Sequence, residues 1–322
     1  MLGAGSATRP IAGEGEPSRK DAHRQLHALV DPEALVLVSL MFLDHERRLG
    51  DLLHDWGARN SDLLSVQRMK NLEGDYPEAV RGLLTHRLAW FATVACDEGK
   101  DLRWKSLAQG GSEGSVEPLG EANTFARSGR PDAPSGAPTK ARATRARLMA
   151  DATLMLRLRL GLGVGVKADL ITFLLARVME WATVRDITEA TGYTVAAVRR
   201  AAEDLAAARL IESLDGAPTV YRATHDAWAP LLGLEDRPPR WASWHERFVF
   251  ATAFHAWSEE VRERALSDYA FGAGGRQLLE RYRSAFERDD VAVWSAHTPV
   301  TDWGVFVGGA VRALAGWMEE FA

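Results

Sequence analysis

The sequence predicts a mainly α-helical protein with one small β-hairpin near the middle of the chain. Apolar residues recur at helical spacing over most of the 322 residues, and two short strand-like runs flank a turn at 215–218. Hydrophobic residues make up 46% of the chain, enough to bury sizeable cores. Composition divides the chain into five parts: a disordered N-terminus (1–20), an all-α domain (21–106), a linker (107–150), a central domain (151–225) and an α-helical C-terminal domain (226–322).

Start and stop signals predict the helices of the N-terminal domain. Asp-Pro-Glu at 31–33 supplies an N-cap, a first-turn proline and a first-turn acid. The clearest of the further helices begins at Pro77, with one apolar face formed by Val80, Leu83, Leu84, Leu88 and Phe91. Helices are expected to end near Gly57, Gly74 and Gly99. Because no alternating strand pattern is present, the domain is expected to be all α.

The linker is predicted from a change in composition. Gly, Ser, Pro and Ala dominate residues 107–140, so this segment cannot bury enough apolar surface to offset its chain entropy. It runs into a basic block, since residues 123–160 hold eight Lys or Arg and two acidic residues. Four of these basic residues are expected either to follow a DNA backbone or minor groove, or to be a solvated lead-in to the next helix: Lys140, Arg142, Arg145 and Arg147.

The central domain carries the most specific local signals. Thr183 and Asp186 have the spacing of a capping box for a short helix, which Gly192 is expected to end. Thr194 can cap the next helix. The buried stripe of that helix is expected to consist of Val198, Ala202 and Leu205. With the hairpin that follows, the order is that of a winged helix-turn-helix.

On these residues the chain resembles the winged-helix domain of bacterial transcription regulators of the MarR and ArsR type. The resemblance covers about residues 161–225 and is carried by the stretch TVRDITEATGYTVAAVRRAAEDLAAARLIE. Arg209 stands where the family usually has a glycine after the second helix. The resemblance implies a homodimer that binds double-stranded DNA as a regulator of transcription.

The resemblance also implies which residues contact DNA. A recognition helix at 194–207 would enter the major groove with its N-terminal residues nearest the bases. With the apolar stripe inward, Ala196 and Arg200 point outward and Arg199 lies on the flank, so either arginine is expected to contact a guanine. The phosphates would be held by Tyr193, Thr194 and Arg222.

A protein-interaction module, such as an antitoxin-like or defence-associated partner, is the alternative function. Arg199 with Glu203, and Arg200 with Asp204, have the i,i+4 spacing of ion pairs on a solvated helix face. Residues 161–225 hold seven basic and eight acidic residues, so the domain has little net attraction for phosphates. The sequence leaves both functions open.

Three alternate glycines in RLRLGLGVGVKA (157–168) have the outline of a phosphate-binding loop. A P-loop requires Gly-Lys-Ser/Thr, whereas Val-Lys-Ala stands at 166–168, and the dinucleotide fingerprint requires a glycine at 166. Residues 154–160 and the glycines are expected instead to form an extended lead-in, in which small residues let neighbouring backbone pass close by. No cofactor is predicted.

The sequence predicts no enzyme. It contains no nucleophile elbow and no HExxH motif, and its single cysteine is Cys96. His23 and His27 lie one helical turn apart with Asp21 nearby, but no further ligand completes a metal site. Neither catalytic residues nor a metal are expected.

The C-terminal domain holds seven of the eleven tryptophans. Trp241 and Trp244 have i,i+3 spacing and Trp257 is expected near their face, so they are expected either to form a small-molecule effector pocket or to pack as core or oligomer contact. A protein partner is a further candidate for this domain. No signal peptide is evident and the longest apolar run, 34–43, is too short to span a bilayer, so a cytoplasmic protein without membrane contact is expected.

Overall fold

The computed structural model of the chain describes residues 28–97, 102–110, 148–177, 180–234, 239–264, 267–287, 308–312 and 314–316. Across these residues the protein is mainly α-helical with a small three-stranded antiparallel sheet, which confirms the predicted mainly α class. The N-terminal helices are α1 (Pro32–Met41), α2 (Arg47–Asn60), α3 (Val66–Glu73), α4 (Glu78–Asp97) and α5 (Lys105–Gly110). The central elements are α6 (Leu154–Leu162), α7 (Val166–Ala176), β1 (Ala182–Thr183), α8 (Val184–Thr191), α9 (Val195–Ala207), β2 (Glu212–Leu214), β3 (Val220–Arg222) and α10 (His225–Leu232). The C-terminal helices are α11 (Trp244–Arg264), α12 (Asp268–Arg281) and α13 (Ser284–Glu287).

The predicted helix starts at Asp31 and Pro77 are confirmed, since α1 begins at Pro32 and α4 at Glu78, whereas the predicted end at Gly99 lies outside the described residues. Asp31 Oδ1 accepts a hydrogen bond from the Ala34 amide at 3.0 Å and so caps α1. Helix α3 ends before Gly74, as expected, but α2 continues through Gly57, so the predicted helix end at Gly57 was wrong. A Cβ built on Gly57 would lie 2.7 Å from Phe91 Cε2. Gly57 therefore makes room for the Phe91 ring inside a helix.

The stretch expected to be an extended lead-in is helical, which corrects that prediction. Gly161 lies within α6, and the turn at 163–165 joins α6 to α7. Gly163 has a φ of +87°, a conformation that favours glycine. A Cβ built on any of the three glycines would meet no described atom within 4 Å, so among the described residues close packing does not require glycine at these positions. Helix α6 is stabilised instead by a buried face that includes Leu154, Met155 and Leu158.

The predicted caps of the two central helices are confirmed. The Thr183 amide donates to Asp186 Oδ2 at 2.8 Å, and the Asp186 amide donates to Thr183 Oγ1 at 3.2 Å, which completes the capping box. Gly192 ends α8 in the left-handed conformation, with a φ of +72°. Thr194 caps α9 by accepting from the Ala197 amide at 3.3 Å. The sheet order is β1-β3-β2, with Tyr221 of β3 paired on both sides.

Helix α9 closes in a Schellman motif without the usual glycine. The Leu210 amide donates to the Leu205 carbonyl and the Arg209 amide donates to the Ala206 carbonyl, both at 2.9 Å. Arg209 has a φ of +58°, which is unfavourable for a residue with a Cβ. Trp228 Nε1 donates to the Leu210 carbonyl at 3.0 Å, and this bond helps to hold the chain after the motif.

The N-terminal, central and C-terminal helices pack on one another. Helix α11 packs along α1, and its Val249 joins the core of the N-terminal helices. Leu29 belongs to the core of the central elements, against which Trp241 also packs. The Leu29 amide donates to the Arg240 carbonyl at 2.9 Å. The central elements therefore pack against residues that precede them and residues that follow them in the sequence. No helix in the described ranges combines the length and apolarity that crossing a membrane requires.

Candidate nucleic-acid interface

Helix α9 presents one buried face and one open face. The predicted stripe is confirmed, because Val198, Ala202 and Leu205 are at most 4% exposed. Outside this stripe, four residues predicted to approach DNA are exposed: Thr194 at the N-cap, Ala196, Arg199 on the flank and Arg200. Burial on one side thus fixes which side chains face solvent.

Neither arginine of the open face forms an ion pair with the acid one turn later, although the Arg200 charge contributes to the lowered pKa of Asp204. Asp204 lies 2.8 Å from Lys167 Nζ, and this bond, with the Lys167 charge, holds the pKa of Asp204 below its usual value. Within the described part of the chain, neither Arg199 nor Arg200 forms an ion pair shorter than 4 Å. Both guanidinium groups are therefore accessible to an external acceptor.

Tyr193 does not belong to this face, which corrects its predicted role as a phosphate contact. Its side chain is buried, with 7% of the residue exposed. The hydroxyl donates to Asp169 Oδ2 at 2.9 Å and lies 3.3 Å from Ser65 Oγ. Burial, with the Asp169 charge, raises the pKa of the Tyr193 hydroxyl well above its usual range. Tyr193 is an internal anchor of the turn.

Arg222 is held within the hairpin. Its Nε donates to Glu212 Oε2 at 3.1 Å across the β2–β3 pair, and its guanidinium carbon lies 4.5 Å from the centre of the Trp181 ring. A phosphate would have to compete with Glu212 for this side chain. The Glu212 carboxylate therefore weakens the attraction of Arg222 for a phosphate.

Several predicted residues lie outside the described ranges. They are the basic residues Lys140, Arg142, Arg145 and Arg147 and the histidines His23 and His27. Among the described residues, no three His, Cys, Asp or Glu side chains are grouped as a metal site would require. The DNA contact of the basic block stays a prediction.

The three tryptophans do not line one pocket, which corrects that part of the effector prediction. Trp241 packs edge-on against Phe173 at 5.2 Å between ring centres, in the core of the central elements. Trp244 donates Nε1 to the Leu29 carbonyl at 2.7 Å. Trp257 stacks on Phe271 in a separate cluster. Core packing explains each ring.

A buried charge network next to α9 was not predicted from the sequence. Its members, each at most 5% exposed, are Asp31, Glu33, Arg68, Arg159 and Asp169. Arg159 donates to Asp169 at 2.7 Å and to Glu33 at 2.6 Å, and Arg68 donates to Glu33 at 2.6 Å and to Asp31 at 2.5 Å. Burial disfavours both charged guanidinium groups, but the carboxylates outweigh it and hold the pKa of Arg68 and of Arg159 above the usual range.

One sequence signal could have revealed part of this network. Asp169 stands in the apolar helical run ADLITFLLA at 168–176, where every neighbour is apolar or threonine. An acid in such a run must be paired if the helix is buried. Arg159, ten residues earlier, belongs by composition to the basic block, but it lies in α6 one turn after buried Met155.

The interface that remains is the open face of α9, with two accessible arginines close to the helix N-terminus. Comparisons of the chain with protein-family models, curated proteins and solved structures found no match.

Proposed function

We propose that residues 151–225 form a winged helix-turn-helix and that the protein binds double-stranded DNA as a regulator of transcription. The order α7, β1, α8, α9, β2, β3 and the sheet order β1-β3-β2 support the winged-helix assignment. The observation that carries DNA binding is the exposure of Arg199 and Arg200 on α9, neither of them ion-paired within the described ranges.

In this proposal α9 lies in the major groove. A guanidinium group can donate two hydrogen bonds to O6 and N7 of one guanine, so Arg199 or Arg200 would select that base. Thr194, exposed at the helix N-terminus, would contact a phosphate. A homodimer would place two such helices on successive half-sites, while the flanking helices supply dimerisation, effector binding or a protein contact.

A protein-interaction module is the second candidate, and a specific observation favours it. Two large apolar residues near the predicted DNA face are exposed: Val195 at the start of α9 by 47% and Leu214 at the hairpin by 56%. With Arg222 engaged by Glu212, the surface is less cationic than the sequence suggested, and the buried Tyr193 offers no phosphate contact. Apolar groups beside few charges suit a protein partner better than a phosphate backbone.

A mobility-shift titration of the full chain decides between the two. The probe is a pool of genomic duplex fragments, tested at low and at moderate salt. DNA binding predicts retarded fragments at low salt and a log K that falls with log salt by about 0.9 for each phosphate neutralised. Absence of any retarded duplex at low salt would overturn the regulator proposal and favour the interaction module.

A further inference from the structure

The turn that leads into α9 is held by a helix from outside the central elements. Arg68 and Asn71 both lie on α3 of the N-terminal region. Arg68 Nε donates to the Thr191 carbonyl at 2.6 Å, and Asn71 Nδ2 donates to the Gly192 carbonyl at 2.9 Å. Two successive carbonyl groups of the turn are thus bound by side chains 123 and 121 residues away along the chain.

Packing fixes the same turn from the same side. A Cβ built on Gly192 would lie 2.7 Å from Leu72 Cδ2, closer than real Cβ contacts. Leu72 is 2% exposed and also lies on α3. The turn therefore has no room to move toward α3, and the hydrogen bonds oppose its moving away.

The next residue is anchored at the start of α3. Tyr193 reaches Ser65, whose hydroxyl accepts from the Arg68 amide at 3.2 Å and so caps α3. Residues 191, 192 and 193 are therefore each bound by α3 or its N-cap. The residue that follows them is Thr194, the N-cap of α9.

From these contacts we propose that Arg68 and Asn71 are positioning residues for the N-terminal end of α9. Helix α3 fixes the position of the exposed N-terminal end of α9. The N-terminal helices therefore take part in DNA recognition together with the winged helix. This inference rests on the proposed DNA binding, because the helix end that α3 holds is the end that would enter the groove. A loosened turn would lower the fraction of molecules with α9 correctly placed, and apparent affinity falls with that fraction.

Asn71→Ala and Gln67→Ala form a matched pair for the test. Gln67 Nε2 donates to Asn71 Oδ1 at 2.9 Å, so both substitutions remove that bond, but only Asn71→Ala removes the bond to Gly192. Each variant of the full chain is measured for backbone amide exchange without DNA and for duplex affinity by mobility shift. Urea denaturation checks that both variants fold.

We expect Asn71→Ala, compared with Gln67→Ala, to speed exchange at Gly192, Ala197 and Val198, whose amides donate within the turn and the first turn of α9. Duplex affinity is expected to fall about 3- to 10-fold, the scale of one lost hydrogen bond. Sequence preference and salt slope are expected to stay unchanged, because Asn71 itself would not touch DNA.

Equal exchange in the two variants would overturn the inference, as would faster exchange with undiminished affinity. A changed salt slope or preference would instead make Asn71 a direct DNA contact. If the unaltered protein binds no duplex, the proposed function fails, whereas the exchange comparison still decides whether α3 holds the turn. If Asn71→Ala does not fold, Asn71→Asp, which keeps the size but loses the donor, serves for the exchange measurement.

Discussion

Arg159 and Glu33 are joined by two hydrogen bonds, of 2.6 Å from Nη1 to Oε1 and 3.0 Å from Nη2 to Oε2, although 126 residues separate them along the chain. Both side chains are fully buried. Removing one partner leaves a buried charge uncompensated, which costs about 3–5 kcal/mol. We expect Arg159→Met to lower the free energy of unfolding by that amount, measured by urea denaturation of the full chain.

The control for this variant is Arg264→Met. Arg264 lies 2.7 Å from Glu260, but the two side chains are 68% and 49% exposed. An exposed ion pair of this kind contributes about 0–1 kcal/mol to the free energy of unfolding. If the two variants lost similarly small amounts of stability, the network would not be a stabilising element of the fold.

The acid dependence of stability should report on Asp31. Burial raises the pKa of Asp31, but the charge and hydrogen bonds of Arg68, with the Ala34 amide, bring it below the usual 3.8. Its contribution to stability is therefore present above the unfolded pKa and is lost as pH falls through the lower folded pKa. We expect Asp31→Asn, which retains a capping oxygen, to be less stable than the unaltered protein at neutral pH and to approach it below about pH 4.

Urea denaturation at a series of pH values measures this difference. Asp51→Asn, at an exposed position in α2, is the control and is expected to follow the unaltered protein at every pH. A constant gap between Asp31→Asn and the unaltered protein down to pH 2 would contradict the prediction.

Arg209→Gly is expected to stabilise the protein. Glycine removes the strain of the left-handed conformation, which should raise the free energy of unfolding by about 1–2 kcal/mol. The entropic cost of glycine is smaller, about 0.5–1 kcal/mol. The same change at Arg200, in the interior of α9, is expected to destabilise by about 1 kcal/mol. Thermal denaturation of the two variants should give midpoints that move in opposite directions, and a lower midpoint for Arg209→Gly would refute the strain argument.

Alanine at Arg199 or Arg200 tests the base contact. Each arginine that contacts a base is expected to contribute about 1–3 kcal/mol to the free energy of binding. Its loss should relax the sequence preference at one position of the DNA site. Selection of duplexes from a random pool measures the preference. Arg264→Ala, on α11, is the matched control and is expected to change nothing. An unaltered preference in both α9 variants would mean that the two arginines are only solvated side chains.

The basic block before α6 makes a separate prediction. Replacing Lys140, Arg142, Arg145 and Arg147 together by alanine should make the salt dependence of DNA binding shallower by about 3–4 in slope if all four neutralise phosphates. Titrations at several salt concentrations give the slope. An unchanged slope would assign these residues to a solvated lead-in.

The sequence was most informative where a structure depends on neighbours within four residues. The Thr183–Asp186 capping box, the Gly192 turn and the Thr194 cap are of this kind, and all three are confirmed. The burial of Tyr193 depends on Asp169 and Ser65, which lie 24 and 128 residues away. No local pattern contains that information.

The hairpin shows an intermediate case. Arg222 lies directly opposite Glu212 in the β2–β3 register, so assigning the register would have predicted their pairing. The contact of Arg222 with Trp181 could not have been found in this way, because Trp181 precedes β1 and comes close only when the sheet forms.

The buried charge network has a consequence for the order in which the chain folds. Its bonds join segments as far as 126 residues apart, and closing such long loops costs entropy before any bond is made. Contacts of this kind are expected to form after the folding transition state, when the helices already lie close together. Loss of the network should therefore increase the unfolding rate much more than it decreases the refolding rate. These charges thus mainly determine the lifetime of the folded state.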